Sequence, residues 1–182
     1  KQELITELCA VLAFSSIQND DKIGVIFFTD KIEKFIPPKK GKSHVLRIIR
    51  DLIEFKPEHK QTDIKLALKY LTNVINKRSV AFVISDFMAN DFSDALKIAN
   101  KKHDVVALQI YDKRENELPD VGYIKLKDAE SGAIKWIDTS DKKIRIHFAA
   151  AAAKREAALK DIFNRSGVDS AKINTAESYV KP

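Results

Sequence analysis

The stretch Val80-Ala81-Phe82-Val83-Ile84, running directly into Ser85-Asp86, constrains this chain more than any other. A run this short, rich in β-branched and aromatic residues, predicts a strand over residues 79–85 buried on both faces. Strands of that kind belong to parallel sheets covered by helices. In an open α/β sheet the ligand binds just beyond the carboxyl ends of the strands, which puts Asp86 where a site would be. The plainer alternative gives Asp86 to a turn or to the cap of the next helix. A second element, Gln61-Thr62-Asp63-Ile64, opens a helix earlier in the chain and favours the site.

The rest of the chain alternates in the same manner. Leu4, Ile5, Leu8, Val11, Leu12 and Ile17 mark an amphipathic helix over residues 1–18, ended by Asn19-Asp20-Asp21. Residues 22–29 form a second buried strand. Asp30 turns it into a half-buried strand over 31–36, an antiparallel edge strand that Pro37-Pro38 stops. Ser43 is the expected N-cap of a helix over 44–55. Thr62 is the expected cap of a helix over 63–76, with Asp63 in its first turn complementing the dipole. A helix over 92–102, with Ser93 as cap, leads to a strand over 105–111. Beyond the charged loop 112–120, strands at 122–127 and 133–138 flank Asp128-Ala129-Glu130-Ser131-Gly132 as a hairpin. Ser140 or Asp141 precedes a long helix that Gly167 stops. Its five consecutive alanines, Ala149 to Ala153, favour helix and suggest no function. A short strand over 168–174 follows, and Thr175 is the expected cap of a last helix ending at Pro182. The predicted class is α/β, a doubly wound, mainly parallel sheet flanked by helices, with one antiparallel edge strand and an additional hairpin.

Composition narrows the function. A chain of 182 residues is one domain in size. Its net charge of +6 is spread along the sequence, and the densest basic cluster, Lys39-Lys40-Gly41-Lys42, holds no aromatic to stack a base. That is a solvated loop and no nucleic-acid surface. The single Cys9 excludes a disulfide within the chain, and no Cys/His spacing fits zinc. No apolar run reaches transmembrane length and no signal peptide is present, so the expected location is cytoplasmic. The four histidines are scattered, no Ser-His-Asp set is evident, and no carboxylates cluster in the sequence. Phosphoryl transfer and nuclease chemistry need several carboxylates on a metal, so an enzyme is the weaker alternative.

A series of short motifs resembles a von Willebrand factor A-type domain. The motifs are Asn19-Asp20-Asp21-Lys22-Ile23-Gly24-Val25, Phe28-Thr29-Asp30, Phe35-Ile36-Pro37-Pro38, Thr62-Asp63-Ile64 and Ile84-Ser85-Asp86-Phe87. His103-Asp104-Val105-Val106, Leu118-Pro119 and Asp128-Ala129-Glu130-Ser131-Gly132 continue the series. More narrowly, the chain is similar to a bacterial domain-of-unknown-function family, number fifty-eight, often encoded beside MoxR-type AAA+ ATPases. The resemblance implies a metal-ion-dependent adhesion site built from an Asp-x-Ser-x-Ser loop, a Thr and an Asp. Thr62 matches the Thr and Asp86 the Asp, with Asp63 and Ser85 as neighbours behind them. No Asp-x-Ser-x-Ser occurs in the chain, so the expectation is a single domain over 1–182 whose first strand and motif precede Lys1. The slot of that strand falls between the strands at 22–29 and 79–85. The implied ion is Mg²⁺, with Mn²⁺ or Ca²⁺ as substitutes, held by few charges so that a carboxylate of a protein partner completes its shell. The implied partner is a MoxR-type ATPase or its client. The alternative is a scaffold with an incomplete metal site.

Overall fold

The computed structural model describes residues 1–59, 61–89, 91–127 and 133–176. The chain divides into two compact units, Lys1–Arg78 with Ala89–His103, and Ser79–Met88 with Asp104–Pro182. The expected connection at 128–132 and the last helix beyond Ala176 lie outside the described residues.

The first unit holds helix α1 (Gln2–Gln18), strands β1 (Ile23–Phe28) and β2 (Ile32–Lys39), and helices α2 (Lys42–Glu54), α3 (Ile64–Val74) and α4 (Ser93–Lys102). Its core gathers Phe27, Ile36, Ile48 and Leu52, with Cys9, Ile23, Val25 and Phe55 packed against them. The Phe27 and Phe55 rings lie 4.6 Å apart. Burial pushes the Cys9 thiol up to about 11, which makes it an inert packing group.

β1 and β2 are antiparallel, as expected, but β2 runs through Pro37-Pro38 to Lys39. An edge strand tolerates prolines because an outward N–H has no ladder partner to lose. The register slips twice. Ile23 faces Lys39 while Val25 faces Ile36, and Phe27 faces Lys34 while Phe28 faces Ile32, which leaves Glu33 as an extra residue. Gly24 lies opposite the first slip.

Three helix starts differ from expectation. α4 has Phe92 and not Ser93 at its N-cap. α2 begins at Lys42 after Gly41, whose φ is 103° and whose carbonyl accepts from the His44 and Val45 amides, two residues before the expected Ser43 cap. α3 is capped by Asp63, whose Oδ1 accepts from the Leu66 amide at 2.8 Å, instead of by Thr62. Both types cap well. The carboxylate is one residue nearer the helix and reaches the third amide.

The second unit holds strand β3 (Val80–Ser85), strand β4 (Asp104–Tyr111), a 3-10 turn (Lys113–Glu115), strands β5 (Tyr123–Lys127) and β6 (Ile134–Asp138), helix α5 (Lys142–Ser166) and strand β7 (Asp169–Asn174). β3, β4 and β7 form a parallel sheet in that order. The predicted α/β class with parallel strands, helices and antiparallel pairs is therefore observed. Among the described residues β3 stands at the edge of this sheet, where an interior strand was expected. Among the described residues β1 pairs with β2 alone and β3 with β4 alone.

β3 is also not buried on both faces. Val83 and Ser85 point inward, whereas Val80 is 58% and Phe82 44% exposed. Their face alternates with the buried one at period two. On the inward face Gln109 donates to Glu156 of α5 at 3.1 Å, and Lys172 pairs with the same carboxylate at 2.9 Å. Asp141 caps α5 by accepting from the Lys143 amide, and Gly167 ends it with a left-handed φ of 64°. Asp112, at the start of the charged loop, forms a capping box with Glu115.

One consequence concerns pH. His103 ends α4 fully buried, and burial together with the adjacent Lys102 charge lowers its pKa from the ordinary 6.5. The unfolded chain then binds this proton first, so the stabilisation is complete above the ordinary value and is lost as pH falls below it toward the folded-state pKa. Urea midpoints should drop between about pH 7.5 and about pH 5.5, and His103→Gln should flatten the drop. An unchanged slope in that variant would assign the pH dependence to other groups.

Candidate functional site

Thr62 and Asp63 belong to the first unit, Ser85 and Asp86 to the second, and each pair is set by its own surroundings.

Thr62 enters α3 half-buried. The next residue is fixed twice: the Asp63 amide donates to the Thr29 carbonyl at 2.9 Å, and its carboxylate caps α3. Thr29 is buried at the carboxyl end of β1. Its hydroxyl donates to Glu33 Oε1 at 2.8 Å. The Glu33 carboxylate also accepts the Glu58 amide at 3.1 Å and the His59 amide at 3.3 Å. The His59 ring lies 3.3 Å from Asp30. Burial alone would raise the Glu33 carboxyl pKa. The bonds from Thr29, Glu58 and His59, with the nearby His59 ring, outweigh it and hold the pKa below the ordinary value.

The segment before α3 is thus pinned to the β1–β2 turn at Glu58–His59 and again at Asp63. Sequence reasoning read Asp30 as a turn residue and passed over Glu33 and His59. Glu33 sits in an alternating run, Ile32-Glu33-Lys34-Phe35-Ile36, that looks like an ordinary half-exposed strand. Only the register slip turns it toward the loop, and nothing in that run announces a bulge.

At the end of β3 two side chains fold the backbone over. Ser85 Oγ accepts from the Phe87 amide and Asp86 Oδ1 from the Met88 amide, both at 3.2 Å. Phe87 adopts φ 54°, a left-handed conformation that a side chain of this size rarely takes. It is held by burial: Phe87 is 5% exposed and its ring meets Phe163 of α5 edge-on at 5.1 Å. Asp86, half-buried, precedes this strained residue at the carboxyl end of a parallel strand.

A threonine hydroxyl and one carboxylate are hard oxygen donors, the right kind for Mg²⁺, Mn²⁺ or Ca²⁺. They are two of the roughly six such an ion takes, so further oxygens must come from elsewhere. Among the described residues no three His, Cys, Asp or Glu side chains gather as a metal cluster. Among them, too, no helix is long and apolar enough to cross a membrane.

A family model described as "Protein of unknown function DUF58" matches residues 1–158. The uncharacterized protein Rv1480 of Mycobacterium tuberculosis (strain ATCC 25618 / H37Rv) is 28% identical over 160 residues, 86% of this chain and 50% of that protein. The uncharacterized protein MAV169 of Mycobacterium avium is 27% identical over 148 residues, 80% of this chain and 87% of that one. The chain spans about half the length of the first of these relatives. Two solved structures share the fold. One is described as an aerotolerance-related membrane protein from Bacteroides fragilis NCTC 9343 with multiple mutations to serines, at a TM-score of 0.63 and 17% identity, covering 96% of this chain and 82% of that chain. The other, the conserved hypothetical protein BatB from Bacteroides thetaiotaomicron, has a TM-score of 0.57 and 16% identity, covering 95% and 80%.

Proposed function

The chain belongs to the DUF58 family, and from that premise we propose that it is a non-catalytic, metal-dependent protein-binding module. Thr62 and Asp86 are two of the ligands of a Mg²⁺ ion, for which Mn²⁺ or Ca²⁺ can substitute. The observation that carries this reading is the end of β3, where the strained Phe87 holds Asp86 at the carboxyl edge of a parallel sheet. Strained backbone persists where the surroundings over-determine it, and it gathers at functional sites. The capping of α3 by Asp63 adds support, since the Thr62 hydroxyl is not spent on that role.

When bound, the ion supplies an electron-poor position that a partner's carboxylate fills. The chain's own part is to aim two oxygens. Asp63 and Ser85 act behind them: Asp63 fixes the start of α3, and Ser85 holds the Phe87 amide. The remaining oxygens of the ion's shell come from groups other than these two. The reading places the module in the cytoplasm with a MoxR-type AAA+ ATPase or its client as partner.

Calorimetric titration of Mg²⁺ or Mn²⁺ tests it. Two protein oxygens alone should bind too weakly to measure, and binding should become measurable once further oxygen donors complete the shell. Asp86→Ala should weaken that binding about 100-fold while changing stability by about 1 kcal/mol, the size of a typical net hydrogen bond such as the one from the Met88 amide. Tight binding by the chain alone would show the site to be misplaced. A folded Asp86→Ala protein with unchanged metal dependence would remove Asp86 from it.

A further inference from the structure

We propose that Glu33 is the positioning residue of the metal-site loop: its carboxylate, turned out of β2 by the bulge, fixes the segment that presents Thr62. The inference rests on Thr62 being a ligand, and it adds what sets the place of that ligand.

The geometry is specific. Glu33 is the one residue of β2 left over where Phe27 faces Lys34 and Phe28 faces Ile32. Bulges bend a strand and redirect the extra side chain. Here the redirected carboxylate takes two consecutive backbone amides, Glu58 and His59, and the Thr29 hydroxyl. A carboxylate suits that task because it offers only acceptors, while all three neighbours donate. Thr29 links the two pins. Its hydroxyl orients Glu33 and its carbonyl holds the Asp63 amide, so one buried residue joins the start of the loop to its end. His59 against Asp30 braces the same turn from the side. A glutamine in place of Glu33 would keep the shape but turn an N–H₂ toward donors, breaking the arrangement without removing bulk.

Amide exchange followed by NMR in this chain tests the proposal directly. Glu33→Gln should speed exchange at Glu58 and His59 at least tenfold and move the Thr62 methyl resonance, with the β4 amides unchanged. Should Glu33→Gln fail to fold, Thr29→Val should give the same loop signature by releasing the carboxylate. Unaltered exchange at both amides would overturn the proposal.

In the natural protein, Glu33→Gln should weaken Mn²⁺ binding about tenfold at temperatures where the variant stays folded, whereas Gly24→Ala, which destabilises the same hairpin, should leave it unchanged. Two failures are separable. If Thr62→Ala leaves Mn²⁺ binding intact, the ligand reading falls and this proposal with it. If Thr62→Ala weakens binding but Glu33→Gln does not, only the positioning role is lost.

Discussion

Phe87→Ala should destabilise the protein by about 3–5 kcal/mol, the range for deleting a buried phenylalanine ring. The ring is 5% exposed and packs edge-on against Phe163, so its loss leaves a cavity against α5. Phe87→Gly removes even more side chain, yet it should be no less stable than the alanine variant. At φ 54° alanine keeps the clash between Cβ and backbone that glycine lacks, a difference of about 1 kcal/mol. Urea unfolding of the two variants makes the comparison. An alanine variant clearly more stable than the glycine one would mean that the end of β3 is not held left-handed, and the positioning of Asp86 would need another cause.

Gly24→Ala should cost about 1–3 kcal/mol, and Gly24→Val more. A Cβ at this position would lie 2.7 Å from the Ile36 carbonyl oxygen and 2.9 Å from the Pro38 nitrogen. Both are backbone atoms of the bulged partner strand and cannot swing aside as a side-chain tip could. Relief requires parting β1 from β2, which carry Phe27 and Ile36 of the core. Denaturant midpoints measure this, and an alanine variant within about 0.5 kcal/mol of the parent would show that β2 yields there at little cost.

Much of the fold was legible because the strands are short apolar runs between charged loops. β3, β4 and β7 fall where residues 79–85, 105–111 and 168–174 predicted them, and Gly167 ends α5 as its position required. What was not legible depends on pairing. Pro37-Pro38 reads as a stop even on an edge strand, because the register slip between Ile36 and Lys39 that accommodates the pair shows only in the pairing. Val80 and Phe82 read as buried because a run of apolar residues does not say whether a second face is covered. Thr62 and Asp63 are both good caps, and only the Leu66 amide distinguishes them. The candidate residues Thr62 and Asp86 could be picked out from motifs. Their supports could not, since Glu33 acts through a slipped register and Phe87 through a torsion angle.

The two prolines of β2 bear on the outer margin of the hairpin. Neither Pro37 nor Pro38 carries an N–H, and both fall in the register slip between Ile36 and Lys39. A strand laid along β2 would meet a stretch that lacks those donors and bends out of line, so this margin is a poor template for edge-to-edge pairing.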